Sequence, residues 1–315
     1  MRIIRNIDEK GLSLINPVAT IGNFDGVHLG HQKVFQRVKE VASLIKGTSV
    51  VITFHPHPMV VLAPEREVKL LTPLEDKLRL IETMGIDVTV LIDFNRDFAR
   101  MEPEVFVKDI LLQRLGIVHL LIGQNYRFGR GKKGNTQLLR RLGRRYGFKV
   151  NVVRNLKING QTVSSSRIRQ LLSWGRVCEA AALLGRAYSI HGTVIKGAGR
   201  GAKVLGIPTA NISTPYEIVP KEGVYAVKVK IADALYDAVA NIGKNPTFGL
   251  QEQSYEVHIM DFNENILGKD IRVYFIDRLR GERRFQSPEQ LKEQILRDID
   301  TARYILKRQR INIYP

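Results

Sequence analysis

In residues 18–32 an apolar run, Val18-Ala19-Thr20-Ile21, breaks at Gly22-Asn23-Phe24-Asp25-Gly26, and a helical pattern begins near Gly30. A strand feeding a glycine-rich turn and then a helix leaves few folds open, because the helix must pack back onto a sheet. The same arrangement makes an anion site, since free backbone N–H groups and the positive end of the helix dipole point at one spot. His28 and His31 stand three residues apart at the helix entry, so both rings can meet one ligand. As N–H donors they can hold the phosphates of a nucleotide and stabilise charge at a phosphorus under attack. The plain alternative is a βα turn whose histidines cap the helix or fill space.

Up to about residue 185 the pattern alternates between strand and helix. Val34, Phe35, Val38, Val41 and Ile45 keep helical spacing up to Gly47, and residues 49–54 form a continuous run suited to a strand buried on both faces. Helices are predicted over 73–84 and 103–115, and strands over 87–92 and 117–122. This alternation implies a doubly wound parallel sheet with helices on both faces, whose ligands bind at the carboxyl ends of the strands. Three polar segments are expected at such ends: His55-Pro56-His57-Pro58, the glycine-rich basic loop 123–135, and Val163-Ser164-Ser165-Ser166-Arg167-Ile168-Arg169. In the last, Ser164 and Ser165 can cap a helix or meet a phosphate, and Arg169 lies about one turn in. A stiff strand exit, a solvated loop and a simple N-cap are the respective alternatives.

The chain has 315 residues, enough for two domains. Its single cysteine, Cys178, excludes an intrachain disulfide and a multi-cysteine metal site, and it suits a reducing cytoplasm. No apolar run approaches the ~18 residues of a membrane span. The polar N-terminal residues also argue against a signal peptide. Lys and Arg outnumber Asp and Glu by 49 to 31, a formal net charge of +18. Such a field draws in nucleic acid, and equally ATP and other phosphates, so charge alone does not choose between them.

After residue 185 alternating strands take over at 188–195, 224–231, 235–242, 255–260 and 271–275, followed by a helix over 287–306. Leu291, Ile295, Leu296, Ile299, Ala302 and Ile305 of that helix are expected to face the strands. A small closed β-barrel with a C-terminal helix is the architecture this implies, with domains at 1–185 and 186–315. Within it, Gly197-Ala198-Gly199-Arg200-Gly201-Ala202-Lys203 is followed by Pro208-Thr209-Ala210-Asn211. Glycines such as Gly199 and Gly201 let backbone amides approach a phosphate closely. Thr209 and Asn211 alternate across Ala210, so an extended strand presents both on one face as hard oxygen ligands suited to Mg²⁺. Glu256 and His258 likewise share a face. Phosphorylating an alcohol needs a base, and a surface glutamate opposite a lysine is the plain alternative for Glu256.

These segments carry a resemblance. Gly22-Asn23-Phe24-Asp25-Gly26-Val27-His28-Leu29-Gly30-His31 resembles the G-x-F-D-x-x-H-x-G-H signature of the nucleotidyltransferase superfamily. It looks most like the adenylyltransferase half of bacterial bifunctional riboflavin kinase/FAD synthetases. Segment 163–169 resembles the I-S-S-T-x-I-R element, with valine and a third serine replacing isoleucine and threonine. Pro208-Thr209-Ala210-Asn211 resembles the riboflavin kinase element, with glycine spacing and Lys203 closer to its eukaryotic form. The resemblance spans essentially the whole chain. It implies two reactions: ATP phosphorylates riboflavin to FMN in the second domain, and the first adenylylates FMN to FAD with release of pyrophosphate. It implies that Gly22, Asn23, Phe24, His28, His31, Ser164, Ser165 and Arg169 serve the ATP of the second reaction, and His57, Asn125 and Arg127 the flavin. In the kinase it implies Glu256 as base, Gly199, Gly201, Lys203 and Asn241 toward ATP, Arg280 toward flavin, and Thr209 and Asn211 on Mg²⁺. Two alternatives stay open: a transferase acting on another phosphate ester with a passive β domain, and an RNA-binding protein using loop 127–133.

Overall fold

The computed structural model describes residues 1–5, 7, 13–197, 206–247, 250–308 and 312–313. They form two compact units, the first ending at Ser164 and the second beginning at Ser165. The division falls before the composition change at 185, because the helices between them group with the barrel.

In the first unit, β1 (Arg2–Ile4), β2 (Val18–Ile21), β3 (Ser49–His55), β4 (Val88–Asp93), β5 (His119–Gly123) and β6 (Lys149–Val153) form one sheet in the order β1-β4-β3-β2-β5-β6. Every pairing in it is parallel. Helices cover both faces. On one, α1 (Leu29–Leu44) lays Val34, Val38, Val41 and Ala42 against Val18 and Leu121. On the other, Ala19, Ile52, Val90 and Leu120 pack with Phe106, Ile110, Leu111, Leu139 and Leu142. The chain between β3 and β5 carries α2 (Pro58–Leu62), α3 (Leu74–Thr83), α4 (Arg96–Ala99) and α5 (Pro103–Val105). From α5 it runs on as a π-helix over Phe106–Arg114 rather than the α-helix expected across 103–115. The wider ladder is seen in the Leu115 N–H donating to the Ile110 carbonyl at 3.2 Å, and Phe106, Val107, Ile110 and Leu111 are buried on it. α6 (Thr136–Tyr146) then leads to β6, and β7 (Lys157–Ile158) with β8 (Gln161–Thr162) makes a separate hairpin.

The second unit begins with α7 (Ser165–Ser173) and α8 (Val177–Leu184). The thiol of Cys178 donates to the Ile276 carbonyl at 3.1 Å, one link that ties α8 to the barrel. β9 (Tyr188–Ile195), β10 (Ala210–Ser213), β11 (Gly223–Ile231), β12 (Ala234–Thr247), β13 (Leu250–Ile259) and β14 (Asp270–Arg280) close in the order β10-β13-β12-β11-β14-β9, antiparallel throughout. Closure leaves no open sheet edge. α9 (Pro288–Arg308) seals one side, with Ala302 and Leu306 buried among Val224, Ala226, Val239 and Tyr274. Leu296, expected to face the strands, is instead 47 % exposed, while Leu291 and Ile295 line a cavity described below. Among the described residues no helix is long and apolar enough to cross a membrane.

Candidate functional site

The turn after β2 is built tightly. Gly22 continues the sheet, its N–H donating to the Ile52 carbonyl at 3.1 Å. Phe24, Gly26 and Val27 then take positive φ of 50°, 78° and 37°, a strained course for the β-branched Val27. Asp25, buried, fixes this course by accepting the N–H of Leu71 at 3.0 Å and that of Thr72 at 3.3 Å. The motif's carboxylate therefore braces the turn.

At the mouth of α1 the two histidines stack, with ring centroids 3.6 Å apart and planes 18° from parallel. His28 is the N-cap, and its Nδ1 accepts the His31 N–H at 3.4 Å, which places the proton of a neutral ring on Nε2. A Cβ on Gly30 would lie 3.1 Å from the His28 ring and 3.7 Å from the Val163 carbonyl oxygen, so glycine admits both neighbours. The buried Nδ1 of His31 has no hydrogen-bond partner, and burial first, then the His28 and Lys77 charges, hold this ring's pKa well below the usual value. A buried nitrogen without a partner at a helix N-terminus fits an anion or hydroxyl donor arriving from outside. Phe24 acts by packing, its buried ring lying edge-on to His31 at 5.2 Å and against Phe35 at 4.8 Å.

Beside this turn lies a cavity of about 640 Å³. Gly22, Asn23, Asn125 and Arg127 line it together, while His28 and His31 are not part of its wall. Six aromatic rings also line it: Phe54, Phe94, Phe98, Phe106, Tyr126 and Phe128. Tyr126 stacks on Phe128 with planes 11° apart, and its phenol pKa is pushed upward by burial. His57 stands behind Asn23, their side chains 3.0 Å apart. The basic loop is pinned: Phe128 and Gly134 exchange backbone hydrogen bonds of 3.2 and 2.9 Å, and the Arg130 N–H donates to the Met101 carbonyl at 2.9 Å. The aromatic wall leaves no mark in the sequence, because Phe94, Phe98 and Phe106 come singly from the segment after β4, from α4 and from the π-helix.

The third segment departs from its expected place. Val163 follows the β7–β8 hairpin, not a strand of the parallel sheet. Ser164 immediately precedes α7, Ser165 is its first residue and Arg169 lies in its second turn.

In the barrel, strand register brings three of the expected residues into one row: Glu256 is directly paired with Asn211 on β10 and with Asn241 on β12. Thr209, Asn241, Glu256, His258 and Arg280 line a cavity of about 1040 Å³, bounded also by the segment that leads from β14 into α9. His258 Nδ1 lies 2.8 Å from the Pro208 carbonyl and donates to it, which fixes the residue before Thr209 and leaves Nε2 unprotonated in the neutral ring. A second cavity of about 440 Å³, lined by Val194, Lys196, Gly197, Phe262 and Leu267, also reaches Thr209. Arg280 is held by Asp298, its Nε donating at 2.9 Å and its outer nitrogen lying 2.8 Å from the same oxygen. Gln294 donates to Asp298 at 2.8 Å. Asp298 was missed because a charged residue on a long helix reads as solvated. Gly199, Gly201 and Lys203 lie outside the described residues.

Among the described residues no cluster of three or more His, Cys, Asp or Glu suits a metal. Thr209 and Asn211 offer a different donor set, a hydroxyl and an amide oxygen. An ideal Cβ on Gly197 would sit 1.9 Å from Asn211 Nδ2, so only glycine lets this amide lie where it does. Thr209 lines both cavities and Asn211 neither, yet a hydroxyl and an amide oxygen are hard ligands of the kind Mg²⁺ takes, an ion that needs few protein ligands and keeps positions for phosphate and water.

Comparison with known proteins bears on both units. A family model described as FAD synthetase matches residues 13–167, and one described as riboflavin kinase matches 184–306. The chain is 36% identical over 304 residues to the bifunctional riboflavin kinase/FMN adenylyltransferase of Haemophilus influenzae, covering 96% of this chain and 98% of that one. It is 40% identical over 291 residues to the protein of the same description from Bacillus subtilis, covering 90% and 91%. A crystal structure of a Streptococcus pneumoniae protein described as a macrolide-efflux protein superposes with a TM-score of 0.88 at 31% identity, covering 96% of this chain and 99% of that one.

Proposed function

This chain belongs to the family of bifunctional riboflavin kinases/FMN adenylyltransferases, and from that premise we propose how its two sites divide the work. Membership carries both activities: riboflavin is converted to FMN, and FMN to FAD. We assign FAD formation to residues 1–185 and FMN formation to 186–315.

In the first module FMN enters the aromatic cavity. Its flat ring stacks among Phe54, Phe98 and Phe128, and its phosphate lies toward Asn23, Asn125 and Arg127. ATP takes the turn Gly22–Phe24, the paired His28 and His31, and Ser164. The FMN phosphate is already an anionic nucleophile, so the step needs positioning and charge stabilisation rather than a strong base. His28, whose Nδ1 accepts the His31 N–H, is suited to donate from Nε2 to a phosphate oxygen as pyrophosphate departs. A cavity of about 640 Å³ lined by six aromatic rings suits one flat ring with its phosphate better than an RNA strand.

In the second module riboflavin takes the larger cavity and ATP the smaller one. The observation that carries this reading is Thr209, which borders both and so marks where the phosphoryl group crosses. Glu256 accepts the proton of the ribityl 5′-hydroxyl as that oxygen attacks. Asn211 and Asn241 flank it in register. Mg²⁺, held by Thr209 and Asn211, would neutralise phosphate charge. Arg280 is placed by Asp298 to face the flavin. A single cysteine supports a reducing, cytoplasmic setting.

The deciding experiment is chromatography of flavins after incubating the protein with riboflavin, ATP and Mg²⁺. FMN rising first with FAD following is the expected course. FMN without FAD, even when FMN is supplied, would overturn the assignment of the first module.

A further inference from the structure

A lysine sits where an apolar side chain would be expected. Lys77, on α3, is only 8 % exposed, and α3 supplies no residue to the cavities described above. Its ammonium lies 3.3 Å from Thr53 Oγ1, 3.3 Å from the Phe54 carbonyl and 3.5 Å from the Asn23 carbonyl. Thr53 Oγ1 also donates to the Asn23 carbonyl, at 3.2 Å. One buried cation therefore gathers the turn after β2 and the end of β3, the two strand exits that flank the candidate nucleotide site. The same turn is gripped once more by Asp25 on Leu71 and Thr72.

We propose that Lys77 is a positioning residue for adenylyl transfer, whose ammonium aims the Asn23 side chain and the turn's N–H groups at the reactants and supplies positive charge beneath them. The inference rests on the assignment of FMN adenylylation to the first module. Burying an ammonium costs free energy that a hydrocarbon would avoid. Its surroundings offset that cost only in part: Asp25 attracts the charge, and burial still lowers the pKa to about 8. The other charged or titratable groups near it are His31, which feels the Lys77 charge, His28 stacked behind that ring, and Asp76, the preceding residue on α3. A polyphosphate arriving over the turn supplies the missing negative charge, so substrate binding and lysine protonation reinforce each other.

The test compares Lys77→Met and Lys77→Arg with wild type, measuring both reactions and their pH profiles on each preparation. Riboflavin phosphorylation, in the other unit, normalises for intact chain, and thermal unfolding shows whether the first unit of each variant is folded. Lys77→Met is expected to lose roughly tenfold or more in FMN adenylylation at neutral pH, with riboflavin phosphorylation retained. Wild-type kcat/KM for adenylylation should fall as pH rises through about 8, the limb for kcat should lie higher because bound polyphosphate holds the proton, and Lys77→Arg should lack the limb. Adenylylation by Lys77→Met at the wild-type rate would overturn the proposal. So would equal losses in both variants with an unmoved alkaline limb, since that pattern marks a purely structural lysine. If Lys77→Met does not fold, the Lys77→Arg profile decides alone. A wild-type protein making no FAD would instead defeat the underlying assignment.

Discussion

Asn23 and His57 are joined side chain to side chain at 3.0 Å, and the far nitrogen of the imidazole decides what that bond is. His57 Nδ1 accepts the Met59 N–H at 3.2 Å, so a neutral ring carries its proton on Nε2. Two donors cannot share one hydrogen bond. The Asn23 amide, whose oxygen and nitrogen are alike in shape, must then present Oδ1 to His57. Its NH₂ group is left to the cavity that Asn23 lines, as a donor beside the expected phosphates.

Asn23→Asp separates the two halves of that amide. A carboxylate still accepts from His57 Nε2, but it replaces the donor with a negative charge. Adenylylation should fall by roughly tenfold or more, on the scale of a lost hydrogen bond to a charged group. His57→Ala should cost less, since it removes only the partner that orients Asn23. Steady-state kcat/KM for FMN and ATP would check both, and equal losses would reduce Asn23 to a support for His57.

Glu256→Ala and His28→Ala should split the two activities. Loss of a general base costs about 10²–10⁴ in rate, so Glu256→Ala should form little FMN while still converting supplied FMN to FAD. His28→Ala should accumulate FMN. Flavin chromatography distinguishes these outcomes, and loss of both activities from a folded single mutant would refute separate sites.

Gly197→Ala puts a methyl group where Asn211 Nδ2 now lies, at 1.9 Å. The Asn211 amide must move, and with it one of the two proposed Mg²⁺ ligands. Riboflavin phosphorylation should need more Mg²⁺ for half-maximal rate, while FMN adenylylation keeps its dependence. A magnesium titration of each reaction tests this, and an unchanged kinase titration would remove Asn211 from the metal site.

The sheet was legible because β2 and β3 are apolar runs buried on both faces, and the barrel because Tyr188–Ile195 alternates inward and outward residues. Other features leave no comparable trace. β1 is three residues led by an arginine, and β6 at the sheet edge mixes Lys149 and Asn151 into a strand without full burial. The π-helix has the same apolar spacing as the α-helix expected there, since a wider ladder changes hydrogen bonding more than composition. The motif residues could be named from spacing, but their supports could not. Lys77 and Asp298 look like solvated helix charges until folding brings Asn23 to the one and Arg280 to the other. Phosphate-side residues cluster along the chain, whereas the aromatic wall draws one ring at a time from β3, the segment after β4, α4 and the π-helix.

His31 gives the first unit a stability signature in pH. Its folded pKa is well below 6.5, lowered by burial and by the His28 and Lys77 charges, whereas the unfolded ring titrates near 6.5. Above 6.5 both states are neutral there and the residue contributes no pH dependence. As pH falls below 6.5 the unfolded chain takes up a proton that the folded ring refuses, so stability declines, by at most ~1.4 kcal/mol per pH unit for one proton, until the folded pKa is reached. Thermal unfolding between pH 7 and pH 5 should therefore show a falling midpoint that His31→Gln makes shallower. Saturating ATP should also flatten the wild-type slope, because a bound polyphosphate favours the protonated ring that the empty site disfavours. Parallel slopes for wild type and His31→Gln would show that other groups carry the acid sensitivity and that His31 does not titrate differently in the folded chain.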